Sequence, residues 1–130
     1  MQYVYPAVIT KEDDGYLVNF PDIKNCFTDG ATINEALAMA EDALNLMLMT
    51  MEDQNIPIPP ASDIHSVVCE GDAFVNLICA DTLEYRKLYG SQAVKKTLSI
   101  PAWLNTMAEK NGVNFSSTLQ KALKAELGIA

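Results

Sequence analysis

The sequence predicts an α+β protein built in two parts: an antiparallel sheet with one long helix packed on it over residues 1–90, and a strand–helix–helix unit over 91–130 that dimerises. Three observations lead there. Short segments rich in β-branched and aromatic residues, separated by turn signals, fill the first thirty positions. A capped apolar run at helical spacing follows, from Thr32 to Met51. The tail then repeats apolar residues over a length too short to enclose a core of its own.

Tyr3 to Thr10 reads as a first strand, and Glu12-Asp13-Asp14-Gly15 as a tight hairpin turn with a second strand returning over Tyr16 to Phe20. Phe20-Pro21-Asp22 breaks that run, and Cys26 to Gly30 reads as a short third strand. Thr32 followed by Glu35 is a capping-box pattern. Behind it Ile33, Ala36, Leu37, Ala40, Leu44, Met47, Leu48 and Met51 share one helical face, leaving Met39 and Met49 outside it. Ile56-Pro57-Ile58-Pro59-Pro60 cannot continue a helix and predicts a stiff extended connector. Phe74 to Ala80 reads as a further strand, preceded by an extended segment or a hairpin over Val67 to Cys69. Asp81-Thr82 would open a short helix through Tyr85, Arg86 and Leu88. Gly90-Ser91-Gln92 reads as a linker, which places the boundary near Gly90.

In the tail, Leu98 and Ile100 share one strand parity, and Lys95, Thr97 and Ser99 the other. Pro101 suits a helix start, and Leu104, Met107 and Ala108 continue to a stop at Asn111-Gly112. Asn114 is a natural N-cap for a second helix whose stripe is Phe115, Leu119, Ala122, Leu123 and Leu127. One strand and two helices in under about forty residues cannot offset chain entropy alone. A second copy completes the core through Leu98, Ile100, Leu104, Phe115, Leu119 and Leu123, in a homodimer or a dimer of dimers. Two such strands paired antiparallel form a ribbon that fits a DNA major groove. Lys95, Thr97 and Ser99 would read base edges, and Lys96 would reach phosphate from the inward parity. The helix start at Asn114, with Ser116 and Ser117, would hold a phosphate oxygen. The competing reading, a helical hairpin docked on its own chain with solvated lysines, ranks second because of charge. The tail carries five lysines against Glu109 and Glu126, whereas the preceding residues carry four basic and fifteen acidic side chains, inside a chain of net charge -8.

Composition excludes several classes. Hydrophobic residues make up 49% of the 130 positions, enough for a core, but no run approaches the roughly 20 residues of a bilayer span. The N-terminal residues lack a secretory pattern, so a cytoplasmic, membrane-free protein is expected. Cys26, Cys69 and Cys79 are odd in number and, with His65 as the single histidine, form neither a disulfide framework nor a zinc site. No phosphate loop, HExxH or nucleophile elbow is present, so no catalytic residue and no cofactor is expected. Asp13, Asp14, Asp22 and Asp29 could gather around magnesium, but acids are common in turns for backbone reasons.

KKTLSIPAWL followed by GVNFSSTLQKAL resembles a ribbon-helix-helix domain. Tyr5-Pro6-Ala7-Val8, Gly15-Tyr16, Phe20-Pro21-Asp22, Cys26-Phe27-Thr28-Asp29-Gly30 and Thr32-Ile33-Asn34-Glu35-Ala36-Leu37 together resemble the HicB antitoxin family over essentially the whole chain. That resemblance implies a partial RNase H fold without nuclease function joined to a DNA-binding domain. It also implies a partner, a small basic HicA-type toxin that cleaves mRNA, and binding to operator DNA of the shared operon with autorepression. The turn acids Asp13, Asp14, Asp22 and Asp29 are the toxin-binding candidates. Where the family often has glycine before the cysteine of its Pro-Asp turn, Asn25 stands here, and asparagine tolerates the left-handed backbone such a turn needs. The alternative is a ligand-responsive repressor of the same tail type with no toxin partner.

Overall fold

The computed structural model describes residues Met1–Ala130 and divides them into two compact units, Met1–Gln92 and Ala93–Ala130. In the first, β1 (Gln2–Glu12), β2 (Gly15–Asn19) and β3 (Phe27–Gly30) form the meander read from the sequence. The helix α1 (Ile33–Asp53), a 3₁₀ turn (Ile64–Ser66), β4 (Phe74–Asp81) and α2 (Thr82–Tyr89) follow. The sheet is antiparallel in the order β3-β2-β1-β4, so the last strand returns beside the first. Val67 to Cys69 carries no strand. The turn between β1 and β2 is the tight hairpin expected over Glu12–Gly15: Glu12 pairs with Gly15, putting Asp13 and Asp14 at its tip.

Parity divides the sheet cleanly. Tyr5, Ala7 and Ile9 of β1, Val18 of β2 and Ile78 and Ala80 of β4 point inward, where they meet Ala36, Ala40, Leu44 and Leu48 of α1. Ile33, Leu37, Met47 and Met51 pack against that core partly buried, so the whole predicted stripe faces it. Met39, outside the stripe, is exposed. Gly30 is required by packing rather than by φ: a Cβ there would lie 2.4 Å from the Ala36 nitrogen, so a side chain would push α1 off the sheet. Pro6 sits in a central strand, but the β2 ladder ends at Val8, so at Pro6 the strand has only β4 as neighbour.

The caps form nearly as read. The Thr32 hydroxyl accepts from the Glu35 N–H at 3.2 Å, while the Glu35 carboxylate reaches one residue further back than in the usual box, to the Ala31 N–H at 3.4 Å. Asn25 adopts φ 63°, the left-handed turn foreseen for it. The proline connector has no regular structure and is tied down at two points: the Tyr5 hydroxyl donates to the Pro59 carbonyl, and Asp22 accepts from the Ser62 N–H at 2.8 Å and from its hydroxyl.

The second unit holds α3 (Ala102–Lys110) and α4 (Phe115–Glu126). Pro101 is the N-cap of α3 rather than its first helical residue. Gly112, at φ 65°, ends the helix with the Val113 N–H on the Ala108 carbonyl at 3.0 Å, the geometry a left-handed terminator supplies. Lys95–Ile100, expected as a strand, carries none in the single chain, where no neighbouring strand is present to pair with it.

Candidate interaction surfaces

The four turn acids do not form one site. Asp13 and Asp14 are exposed at the β1–β2 tip, and Asp14 and Asp29 line a cleft of about 210 Å³ together with Glu35. Asp22 lies beyond the opposite end of β2, where its carboxylate is occupied by Ser62. No three His, Cys, Asp or Glu side chains converge in a way that could hold a metal ion. His65 sits in the 3₁₀ turn, where its N–H donates to Asp63 at 2.8 Å.

The most connected polar cluster is centred on Glu52, which no motif in the sequence singles out. Its carboxylate accepts from the Tyr3 hydroxyl at 2.7 Å, the Thr82 hydroxyl at 3.0 Å and Arg86 at 3.1 Å, while Arg86 also pairs with Asp53 at 2.8 Å. This ties β1, α1 and α2 together. Burial would raise the Glu52 carboxyl, but the hydrogen bonds from Tyr3, Arg86 and Thr82 outweigh it and hold it below the usual carboxylate range. Tyr3 in turn is pushed up to about 12, first by burial and then by its bond to Glu52. The only available signal was that Arg86 is the single arginine in a chain whose other cations are lysines. A cleft of about 780 Å³ opens beside this cluster, lined by Tyr3, Tyr5 and the proline connector. Its principal polar groups are already committed, Tyr3 to Glu52 and Tyr5 to Pro59.

In the second unit no residue is buried. The six residues expected in a shared core include Leu98 at 54%, Ile100 at 47%, Phe115 at 45% and Leu123 at 50% exposure, with Leu104 also exposed and Leu119 half-buried. Trp103 and Met107 are exposed as well. Lys95, Lys96, Thr97 and Ser99 are all solvent-accessible. At the start of α4 the Asn114 carboxamide accepts from the Ser117 N–H at 3.0 Å, so that donor is used. The Phe115 and Ser116 N–H groups have no acceptor within the chain, and the Ser116 and Ser117 hydroxyls are exposed.

A two-unit chain with an acidic sheet-and-helix body and a small basic helical tail has close parallels. Residues 5–122 match the family model described as HicB-like antitoxin of bacterial toxin–antitoxin systems. The chain therefore belongs to the HicB-like antitoxin family. A solved chain from a toxin–antitoxin complex of Streptococcus pneumoniae is 30% identical, with a TM-score of 0.63 over 97% of this chain and 99% of that one. A chain of the HicA3 and HicB3 toxin–antitoxin complex is 26% identical with a TM-score of 0.53, over 61% of this chain and 99% of that one. Antitoxin HicB 2 of Photorhabdus laumondii is 37% identical over 73 residues, which is 56% of this chain but 48% of that protein. No helix of the chain is long and apolar enough to cross a membrane.

Proposed function

We propose that this chain is a cytoplasmic antitoxin that binds and neutralises a small basic HicA-type mRNA-cleaving toxin, and that it represses its own operon by binding operator DNA. The body, residues 1–90, is the toxin-binding domain, a partial RNase H-like fold without nuclease function. The tail, residues 91–130, is a ribbon-helix-helix domain completed by a second copy. Family membership carries the toxin half of the reading, supported by the HicA partner in the HicA3 and HicB3 relative. Charge agrees with it: Met1–Gln92 holds four basic against fifteen acidic residues, a net of -11, which steers a cationic partner in and RNA away. Asp13, Asp14 and Asp29 are free to meet such a partner. Asp22 is the weaker candidate, because Ser62 already holds its carboxylate.

The DNA half rests on the tail. A 38-residue segment with no buried side chain, an apolar helix stripe and a net charge of +3 needs both a partner for its apolar face and a polyanion for its basic one. Pairing two Lys95–Ile100 segments satisfies both, hiding Leu98 and Ile100 and presenting Lys95, Thr97 and Ser99 to the groove. Lys96 and the α4 start, with Asn114 as its cap and Ser116 and Ser117 beside it, then fall toward phosphate.

The test is to look for a small basic reading frame beside the gene for this chain, express its product, and titrate any ribonuclease activity it has with the purified full chain. Stoichiometric inhibition, and retention of the chain on its own promoter DNA, are expected. Full ribonuclease activity in excess chain would overturn the antitoxin reading. Promoter binding that responds to a metabolite but not to the toxin would instead favour a ligand-responsive repressor using the cleft beside Tyr3 and Tyr5.

A further inference from the structure

The sheet has α1 on one side only. Register fixes which side chains stand on the other. Val8 pairs with Asn19 and Val75, Thr10 with Leu17, Val4 with Cys79, Asn19 with Phe27 and Leu17 with Asp29, and each pair shares a face. This outer face exposes Val4 at 46%, Leu17 at 47%, Phe27 at 68% and Leu77 at 46%, with Cys79 exposed beside them. Pro6 between them is buried, and Asn19 is the polar position of the middle row. The face is stepped, because β4 flanks β1 from Gln2 to Ile9 and β2 flanks it only from Val8 onward: Val4, Leu77 and Cys79 stand on one half, Leu17 and Phe27 on the other, with half-buried Val8 and Val75 between them. Exposed apolar side chains gathered on one face in this way mark an interaction site.

The charges around it decide the occupant. Every charged residue of outer parity is acidic: Glu12 and Asp29 at the β2–β3 side and Asp81 at the far end, where it caps α2 through the Leu83 and Glu84 N–H groups. No lysine or arginine has outer parity in any of the four strands. An apolar centre with a polar rim is how protein interfaces are built. A rim of one sign, on a body of net charge -11, rejects a second copy of the same face and selects a cationic protein.

We infer that the outer face of the sheet, centred on Leu17, Phe27, Leu77 and Cys79, is the docking surface for the basic toxin. This rests on the antitoxin reading and adds to it: apolar burial on the sheet, rather than the turn acids, supplies most of the affinity. The acids steer the approach and Asp29 closes the rim. Large apolar anchors at the centre of such a patch carry most of the binding energy, whereas rim charges alter mainly the association rate.

The test uses the full chain carrying Cys69→Ser. Cys26 is buried, its thiol pushed up to about 11 by that burial, so Cys79 remains the one thiol that alkylates readily. In the free protein Cys79 should react freely with iodoacetamide. Adding the purified product of the small basic reading frame sought beside the gene for this chain should protect it. Phe27→Ala and Leu77→Ala should each weaken toxin binding at least about tenfold, with the circular dichroism unchanged because both side chains are exposed. Asp13→Asn and Asp14→Asn should change mainly the on-rate and its salt dependence. Tight binding with Cys79 still reactive, or unaltered by Phe27→Ala and Leu77→Ala, would overturn this inference and leave the antitoxin reading standing. Cys79 already protected in the free chain would assign the face to the chain itself or to a second copy. No binding by the unsubstituted chain would overturn the antitoxin reading, and the inference with it.

Discussion

Replacing Glu52 by alanine should loosen the whole body of the protein, because one carboxylate there serves three elements. It accepts from Tyr3 of β1 at 2.7 Å, from Thr82 of α2 at 3.0 Å and from Arg86 of α2 at 3.1 Å. Each charge-assisted bond is worth up to about 1.5–3 kcal/mol when desolvated. The Arg86 side chain is 37% exposed and keeps Asp53, so its share is small. The two hydroxyl bonds dominate: the Tyr3 hydroxyl would be left partly buried without its acceptor, while Thr82 would turn its proton to the Met1 carbonyl at 3.2 Å. We expect a loss of about 2–4 kcal/mol. For a body of this size that lowers the midpoint by roughly 10 °C or more. Glu52→Gln, which keeps an acceptor oxygen but not the charge, should fall between. Tryptophan fluorescence is the wrong probe, since the only tryptophan, Trp103, lies in the other unit. Amide exchange across the β1–β4 ladder, where Tyr3 pairs with Ala80, reports the right event. A Glu52→Ala protein within about 0.5 kcal/mol of the parent would refute the idea that this cluster clamps the sheet.

Alkali should act on the same region. Tyr3 and Tyr85 are each pushed up to about 12, by burial first and then by donating to Glu52 and Asp42 respectively. A raised folded value means the stabilisation is complete below the ordinary 10.0 and is lost as pH climbs from there toward about 12. Tyr3→Phe should flatten that stretch of the stability profile, and an unchanged profile would count against the assignment. In the tail, Thr97→Ala should cost about 1–3 kcal/mol on promoter DNA and narrow the gap to scrambled DNA. Equal losses on both would remove it from base reading. Lys95→Ala should lower the salt-dependence slope of DNA binding by up to about one unit, seen by repeating the titration at several salt concentrations. An unchanged slope would place its ammonium away from phosphate.

What could be read beforehand was whatever is encoded locally. The Thr32 and Asn114 caps, the Gly112 stop, the left-handed Asn25 and the α1 stripe each follow from a few neighbouring residues, and all are present. The Glu12–Gly15 hairpin is present as well, with Gly15 paired opposite Glu12 and Asp13 and Asp14 at the tip. What depended on distant residues was not legible. That β4 lies beside β1 links positions some seventy residues apart, and the apolar outer face appears only once that pairing exists. The Glu52 cluster joins Tyr3, Glu52 and Thr82 in the same way. Asn45 is a further case: it lies buried on α1 with its carboxamide nitrogen on the Glu41 carbonyl and its oxygen unpaired, which no helical periodicity would assign to asparagine.

The toxin-binding candidates show the same divide. Turn acids are conspicuous in a sequence, whereas an uncovered sheet face is not. The structure scatters them to both ends of β2 and places the larger patch on strands, where alternation alone does not say which face remains uncovered. In the tail the situation is reversed. Its helices are legible down to their caps, yet they bury nothing within the single chain.

The most direct measurement is the mass of the full chain in solution, by sedimentation equilibrium at micromolar concentration, beside that of Leu98→Asp. Twice the chain mass of 14.2 kDa, or a further doubling, is expected, falling to one chain mass when a charge is forced into the shared core. A parent protein that sediments as a single ordered chain, or a Leu98→Asp protein that stays paired, would contradict the shared core.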